Sequence, residues 1–174
     1  MIEKITEIIL DQTTIRKRVR ELGKQITCDM QGCHSLVVVP VLDGGMIFAA
    51  DLIREIELPL TLLPIKASSY GDAMKSSGNV KFPWNIPTTV RDKDLLLVDD
   101  ILDTGHTLNT LISKLLQAGA RSVRTCVLLR KKHARHLPAD YLGFEIPNKF
   151  VVGYGLDLAG RYRNLPDIGV PREC

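Results

Sequence analysis

Apolar residues follow two rhythms along this chain. Short, densely apolar stretches run from Ile2 to Leu10, Leu36 to Val41, Leu60 to Lys66, Leu95 to Val98, Val123 to Leu129, Tyr141 to Phe144 and Phe150 to Leu156. Stretches of that length read as strands, and the unbroken ones as strands covered on both faces. Elsewhere apolar residues return every three or four positions, the spacing of one helix face. Ile15, Val19, Leu22 and Ile26 predict a first helix, capped by Asp11 or Thr13, with Arg16-Lys17-Arg18 as its solvated face. Phe48, Leu52, Ile53 and Ile56 predict a second, stopping before Pro59. Leu108, Leu111, Ile112, Leu115 and Leu116 predict a third, with Gly119 where a C-cap glycine belongs. Alternating strand and helix predicts an α/β fold: a mostly parallel, twisted sheet flanked by helices.

The segments between these elements differ in kind. Ala67 to Thr89 is rich in Ser, Gly, Asn and Pro, and a loop of that length is a lid, a binding loop or disordered. It also has room for a hairpin, with Asn79 to Phe82 as a short strand. Leu42-Asp43-Gly44-Gly45 joins a strand to a helix, and its glycines permit positive φ and a close backbone approach. Alone, such a turn is common and needs no ligand. The last predicted strand ends at Asp157, and the tail from Ala159 reads as irregular.

Composition narrows the class. With 174 residues, 45% hydrophobic and 25% charged, the chain suits one globular domain with a real core. A net charge of +3 argues for neither nucleic acid nor a membrane surface as partner. No apolar run reaches membrane-spanning length, and Met1-Ile2-Glu3-Lys4 does not open a signal-peptide pattern. A cytoplasmic location is expected. Cys28, Cys33, Cys126 and Cys174 are scattered and read as reduced thiols. His133 and His136 lie in a basic stretch from Arg130 with no neighbouring carboxylate, and read as solvated surface.

The chemistry concentrates in residues 95–107, Leu-Leu-Leu-Val-Asp-Asp-Ile-Leu-Asp-Thr-Gly-His-Thr. Asp99 and Asp100 follow the apolar strand at its C-terminal end, where open parallel sheets bind ligands. Asp103 precedes the small turn Thr104-Gly105-His106-Thr107 that opens the third helix. Such a turn offers unpaired N–H groups and the positive end of a helix dipole, which suits a phosphate. Carboxylates beside a phosphate cradle imply a phosphorylated polyol and a divalent cation.

This segment resembles the 5-phosphoribosyl-1-diphosphate (PRPP) motif of the type I phosphoribosyltransferases, matching all its positions from Leu95 to Thr107. Asp99 stands where the purine-salvage branch often has Glu. Leu42 to Gly45 resembles that family's pyrophosphate loop, whose first bond is often a cis peptide; Asp43 stands where Lys or Arg is usual. Ser69-Tyr70 resembles the start of its mobile lid. Gly143 to Asp157 and Arg161 to Pro166 look like the purine-binding region and downstream segment of the hypoxanthine-guanine branch. The resemblance covers essentially the whole chain, in order. It implies one domain over residues 1–174, with a core of about 34–143 and a small hood from about 1–12 and 144–174.

What the resemblance implies is purine salvage: hypoxanthine or guanine plus PRPP gives IMP or GMP plus pyrophosphate, with Mg²⁺. Asp103 is implied as the general base. Asp99 and Asp100 are implied to hold ribose hydroxyls with metal support. Thr104, Gly105, His106 and Thr107 would cradle the 5′-phosphate. Leu42, Asp43, Gly44, Gly45, Ser69, Tyr70 and Arg163 are implied at the pyrophosphate. Ile101, Lys131, Phe150, Val151 and Asp157 are implied at the purine, with Asp157 also metal-linked. Lys131 aligns with the lysine that contacts the 6-oxo group, with Lys132 the alternative register. Dimers or tetramers are the family habit. The rivals are a xanthine-guanine specialist, a PRPP-sensing regulator without catalysis, and a phosphorelay receiver, whose first strand Leu95 to Asp100 resembles. The chain after Asp100 is too short for the rest of a receiver, and the intact Asp103, Lys131 and Asp157 favour an enzyme over a regulator.

Overall fold

Apolar runs become parallel strands here, and the amphipathic segments between them become the covering helices. The computed structural model describes residues 5–33, 35–66 and 86–172. In chain order the elements are strand β1 (Ile5–Leu10), helix α1 (Gln12–Asp29), β2 (Leu36–Leu42), α2 (Met46–Leu52), β3 (Leu60–Leu62), β4 (Ile65–Lys66), β5 (Asp94–Leu102), α3 (His106–Gln117), β6 (Ser122–Lys131), β7 (Tyr141–Ile146) and β8 (Ile168–Pro171). The sheet order is β3-β2-β5-β6-β7, with β4 also on β2, and every pairing in it is parallel. The chain leaves β2 toward β3 but runs from β5 in the opposite direction. Crossovers therefore diverge between β2 and β5, and that switch point leaves a crevice at the strands' carboxyl ends.

Both faces of the sheet are buried, as the unbroken apolar runs require. Val38, Leu96, Val98 and Leu128 pack with Ile15, Val19, Leu22 and Ile26 of α1 and Phe48 and Leu52 of α2. Val37, Val39, Leu95, Leu97 and Val127 pack with Leu108, Leu111 and Leu115 of α3. Successive strand residues thus serve opposite layers. Asp11 is the cap of α1, its carboxylate accepting from Thr14 N at 2.8 Å. Among the described residues no helix is long and apolar enough to cross a membrane. Cys28, Cys33 and Cys126 are free thiols.

Several expectations need correction. The second helix ends at Leu52 and tightens into a 3-10 turn over Ile53–Glu55, although Ile56 is still buried. The strand expected from Leu60 to Lys66 is two short pieces on β2, broken at Pro64, which has no N–H to give a ladder. The strand expected from Phe150 to Leu156 does not form. Its residues from Val151 to Leu156 are buried, but Gly153, Tyr154 and Gly155 have φ of 101°, 49° and 102°, which no strand tolerates. The tail is not all irregular. Ile168–Pro171 pairs antiparallel with β1, from Leu10↔Ile168 to Ile5↔Pro171, so the two ends of the chain make one small sheet. Ser69, Tyr70 and the proposed strand Asn79 to Phe82 lie outside the described residues.

The core strand β5 is fixed at its start by charge. Asp94 accepts from Ser122 Oγ at 2.7 Å and from Arg121 Nε at 3.0 Å, and pairs with the rest of that guanidinium. The Arg121 hydrogen bond chiefly, with help from Ser122, holds the Asp94 carboxyl at about 2 rather than its usual 3.8. A carboxylate with a depressed native pKa adds stability that is full above its unfolded pKa and fades as pH falls toward the native one. The Asp94 contribution should therefore vanish between about pH 4 and pH 2. In urea titrations across that window, wild type should lose its advantage over Asp94→Asn as pH falls. A gap that does not narrow would contradict the pairing.

Candidate active site

The carboxyl ends of β2 and β5 open onto a cleft of about 250 Å³. Val41, Leu42 and Gly44 line it from one side, and residues from Asp99 to Gly105 with Thr107 and Leu108 line the other. Most of the segment singled out in the sequence therefore faces one space.

The turn after β2 is tight. The Leu42–Asp43 peptide is cis, Gly45 N donates to Val41 O at 3.0 Å and Met46 N donates to Asp43 O at 3.3 Å. Neither Gly44 nor Gly45 has the positive φ that the sequence allowed. Their need is space. A Cβ on Gly44 would sit 1.8 Å from Asp100 Oδ2, and one on Gly45 would sit 2.8 Å from Val41 O. Asp43 points to Lys66 of β4, with Nζ 3.7 Å from Oδ2.

Asp99 and Asp100 are still within β5, which continues past its apolar stretch because its ladder to β6 continues, with Asp99↔Val127, Ile101↔Leu129 and Leu102↔Arg130 in register. Asp99 is 8% exposed. Its carboxylate accepts from Asp100 N at 3.0 Å, and that of Asp100 from Ile101 N at 2.8 Å. Burial, then the charge of Asp100, pushes the Asp99 carboxyl well up, and burial also raises Asp100. Two carboxylates withdrawn from water at a cleft floor suit a hard divalent cation, which takes oxygen donors. Asp157, the third carboxylate implied as metal-linked, accepts from Gly160 N at 2.7 Å and pairs with Arg163 at 2.7 Å; among the described residues no group of three or more His, Cys, Asp or Glu is placed to hold a metal by itself.

Asp103 has different company. Its Oδ2 lies 2.7 Å from Lys131 Nζ, and its Oδ1 lies 2.6 Å from His133 Nε2. Burial opposes ionisation, but Lys131 and His133 prevail and lower the carboxyl. Lys132 is exposed, and Arg130 turns to Glu145 at 2.7 Å. Of these three basic neighbours, Lys131 is the one that touches Asp103. His133, expected to be solvated surface, is exposed, with 45% of its side chain open to solvent, and it nonetheless reaches Asp103; its place two residues beyond Lys131 was the one signal available. Gly105, with φ of 77°, starts α3, and a Cβ there would meet Leu137 at 2.8 Å. Thr104 and His106 are exposed beside it, and Thr107 is half-buried.

The segment after β7 closes over the β2 turn. Gly155 packs so near that a Cβ would lie 2.3 Å from Gly44 O. Arg163 donates to Gly155 O at 2.5 Å while pairing with Asp157. Phe150 has 55% of its surface exposed and Val151 has 5%. Asn148 just before them accepts from His133 N at 3.1 Å. Arg163, Phe150, Val151 and Asp157 lie outside the cleft lining, and Ile101 lies in it.

Comparison with known proteins gives a consistent result. A family model described as a phosphoribosyl transferase domain matches residues 6–158. The hypoxanthine-guanine phosphoribosyltransferase of Dictyostelium discoideum is 41% identical over 174 residues, covering 97% of each chain. That of Bacillus subtilis is 42% identical over 168 residues, covering 95% of this chain and 93% of its own. A hypoxanthine phosphoribosyltransferase structure from Staphylococcus aureus superposes with a TM-score of 0.92 at 37% identity, covering 99% of this chain and 94% of the other.

The fit of Gly44 against Asp100 is open to test without any ligand. Gly44→Ala should fold but displace either the turn or the carboxylate, at about 1–3 kcal/mol for overpacking. Amide shifts of residues 41–46 and 99–101 should move and the melting temperature should fall. Unmoved shifts at both places would disprove the close approach.

Proposed function

The chain belongs to the phosphoribosyl transferase family, in its hypoxanthine-guanine branch, and on that premise we propose in detail how its residues move the 5-phosphoribosyl group of PRPP to hypoxanthine or guanine. Membership makes it a pentosyltransferase of purine salvage, yielding IMP or GMP and pyrophosphate. The observation that carries the detailed reading is the contact of Asp103 with Lys131 at the cleft edge. It brings the candidate base and the candidate reader of the purine's position 6 together.

The division of labour follows from the chemistry. Asp99 and Asp100 hold the ribose hydroxyls and, with Asp157, would be the protein's oxygen donors to Mg²⁺, a hard cation. Bound there, Mg²⁺ supplies charge neutralisation to the departing pyrophosphate. Thr104 to Thr107 cradle the 5′-phosphate with N–H groups at the start of α3 and with hydroxyls. The backbone from Leu42 to Gly45 and the guanidinium of Arg163 face the leaving pyrophosphate, and Asp157 holds Arg163. Ile101 and the exposed ring of Phe150 pack on the purine, and the Val151 backbone reads its edge. As the bond from the anomeric carbon to pyrophosphate breaks, charge builds on the leaving group, and fixed cations stabilise it most at that moment. N9 forms the new bond to that carbon, and Asp103 takes the proton from N7.

The small sheet of β1 and β8 is read as the hood over a core of about 34–143. Ser69 and Tyr70 enter this reading from resemblance alone. The molecule is read as a cytoplasmic homodimer or homotetramer, which light scattering measures directly. The names of the relatives favour hypoxanthine and guanine over xanthine as the purines.

Turnover of hypoxanthine, guanine, xanthine and adenine with PRPP and Mg²⁺ tests the function. Asp103→Asn should lower kcat by about 10²–10⁴-fold with PRPP still bound in calorimetry; turnover near wild type would remove Asp103 from the role.

Base choice follows from donor arithmetic. Lys131 has only donors to offer, matching the 6-oxo acceptor, whereas adenine presents an amino donor. A mismatch of that kind is rejected by roughly 10⁴-fold or more. Lys131→Ala should weaken use of hypoxanthine and guanine and narrow the gap to adenine in kcat/KM. Wild type that uses adenine as well as hypoxanthine would refute the 6-oxopurine reading. An unchanged gap in the mutant would move the contact away from Lys131.

A further inference from the structure

Both oxygens of the Asp103 carboxylate are engaged, Oδ2 by Lys131 Nζ at 2.7 Å and Oδ1 by His133 Nε2 at 2.6 Å. An ionised carboxylate has about four lone-pair sites, so each oxygen can keep its partner and still accept another bond, but a donor already on an oxygen makes that oxygen a weaker base for the incoming proton. The two partners differ in how free they are to withdraw. Lys131 ends a flexible four-carbon stem and, on the proposed reading, has an alternative acceptor in the purine's 6-oxygen. His133 has a short, stiff side chain on a 3-10 turn, and that turn is tied down because Asn148 accepts from His133 N at 3.1 Å. The other strong charges nearby are turned away: Arg130 and Arg135 both pair with Glu145. Among the described residues, the groups facing Asp103 are thus Lys131 from β6 and His133 from the following turn.

We infer that His133 is a positioning residue for the base: it keeps Oδ1 in place while Lys131 transfers from Oδ2 to the purine, so that the freed Oδ2 faces N7. The N7 proton then passes to Oδ2, with Nε2–H still donating to Oδ1. A purine lacking an acceptor at position 6 leaves Lys131 on Oδ2 and the base engaged, so recognition and base release are one event. This rests on the proposed function, and goes beyond it by assigning His133.

The consequence has a direction. With both partners present the carboxyl is lowered, so losing the His133 hydrogen bond raises it, and the carboxylate form then requires higher pH. His133→Ala should move the acid limb of kcat/KM for hypoxanthine upward in pH. It should also lower kcat by about 10–100-fold, as misplacement of a reacting group does, with the KM for PRPP within a factor of two or so. His133→Gln, which keeps a side-chain N–H donor at similar reach, should restore most of kcat. A second measurement needs no turnover: the Asp103 carboxyl titration by ¹³C NMR in the ligand-free protein. It should shift upward in both His133→Ala and Lys131→Ala. If the titration in His133→Ala matches wild type, or Gln restores no more than Ala, the inference fails. If the titration shifts as expected but wild type turns over no purine, the proposed function fails and the His133 contact stands.

Discussion

The ladder between β5 and β6 is the constraint on which the site depends. It runs in register from Asp94↔Ser122 to Leu102↔Arg130, well past the last core residue that β2 can partner, Val98 opposite Pro40. Because that pairing continues, Asp99 and Asp100 stand on rigid strand rather than on loop, and Lys131 is carried to the level of Asp103. Groups on strands hold their geometry better than groups on loops. β2 stops short at Leu42, and its missing length is the cleft.

Within that frame, neighbouring carboxylates are driven in opposite directions. Asp99 and Asp100 are raised, first by burial, whereas Asp103 is lowered because Lys131 and His133 outweigh its own burial. Titratable groups whose surroundings push them apart mark a division of chemical roles. The buried pair gains most from a cation or from hydroxyl donors. Asp103 is kept ionised and so can accept a proton. One short segment holds both environments because β5 ends between them: Asp99 and Asp100 are inside the sheet, and Asp103 is the first residue beyond it, where side chains from the end of β6 can reach.

How much of this was legible in the chain follows the same logic. Leu95 to Thr107 could be read at once because its chemistry is contiguous. The sheet and three covering helices followed from periodicity, and residue type left Asp11 and Thr13 as the candidate caps, of which Asp11 is the one used. The true ends of β5 and β6 did not, because a ladder keeps pairing through polar residues that an apolar count excludes. Val151 to Leu156 looked like a strand because it is buried, yet Gly153, Tyr154 and Gly155 turn left-handed, which composition hides. β8 is four residues containing Gly and Pro, and its partner β1 is at the other end of the chain. His133 is at the surface, as its basic stretch suggested, but its contact with Asp103 was hidden because that partner is remote in sequence and a charge pattern is read locally.

The turn that reads worst from sequence also explains how the site's two sides stay in step. Tyr154 keeps a left-handed φ of 49°, unfavourable for a bulky residue. Its hydroxyl donates to Asp51 of α2 at 2.6 Å, and its ring is buried at 6% exposure. That anchorage holds the flanking Gly155 against Gly44 O, while Arg163 binds the Gly155 carbonyl and Asp157. Gly44 in turn lies against the Asp100 carboxylate. A chain of direct contacts therefore runs from the C-terminal segment through the β2 turn to the acidic pair. Arg163 and the acidic pair are thereby linked by a single packing arrangement, and the glycines are the residues that make it possible.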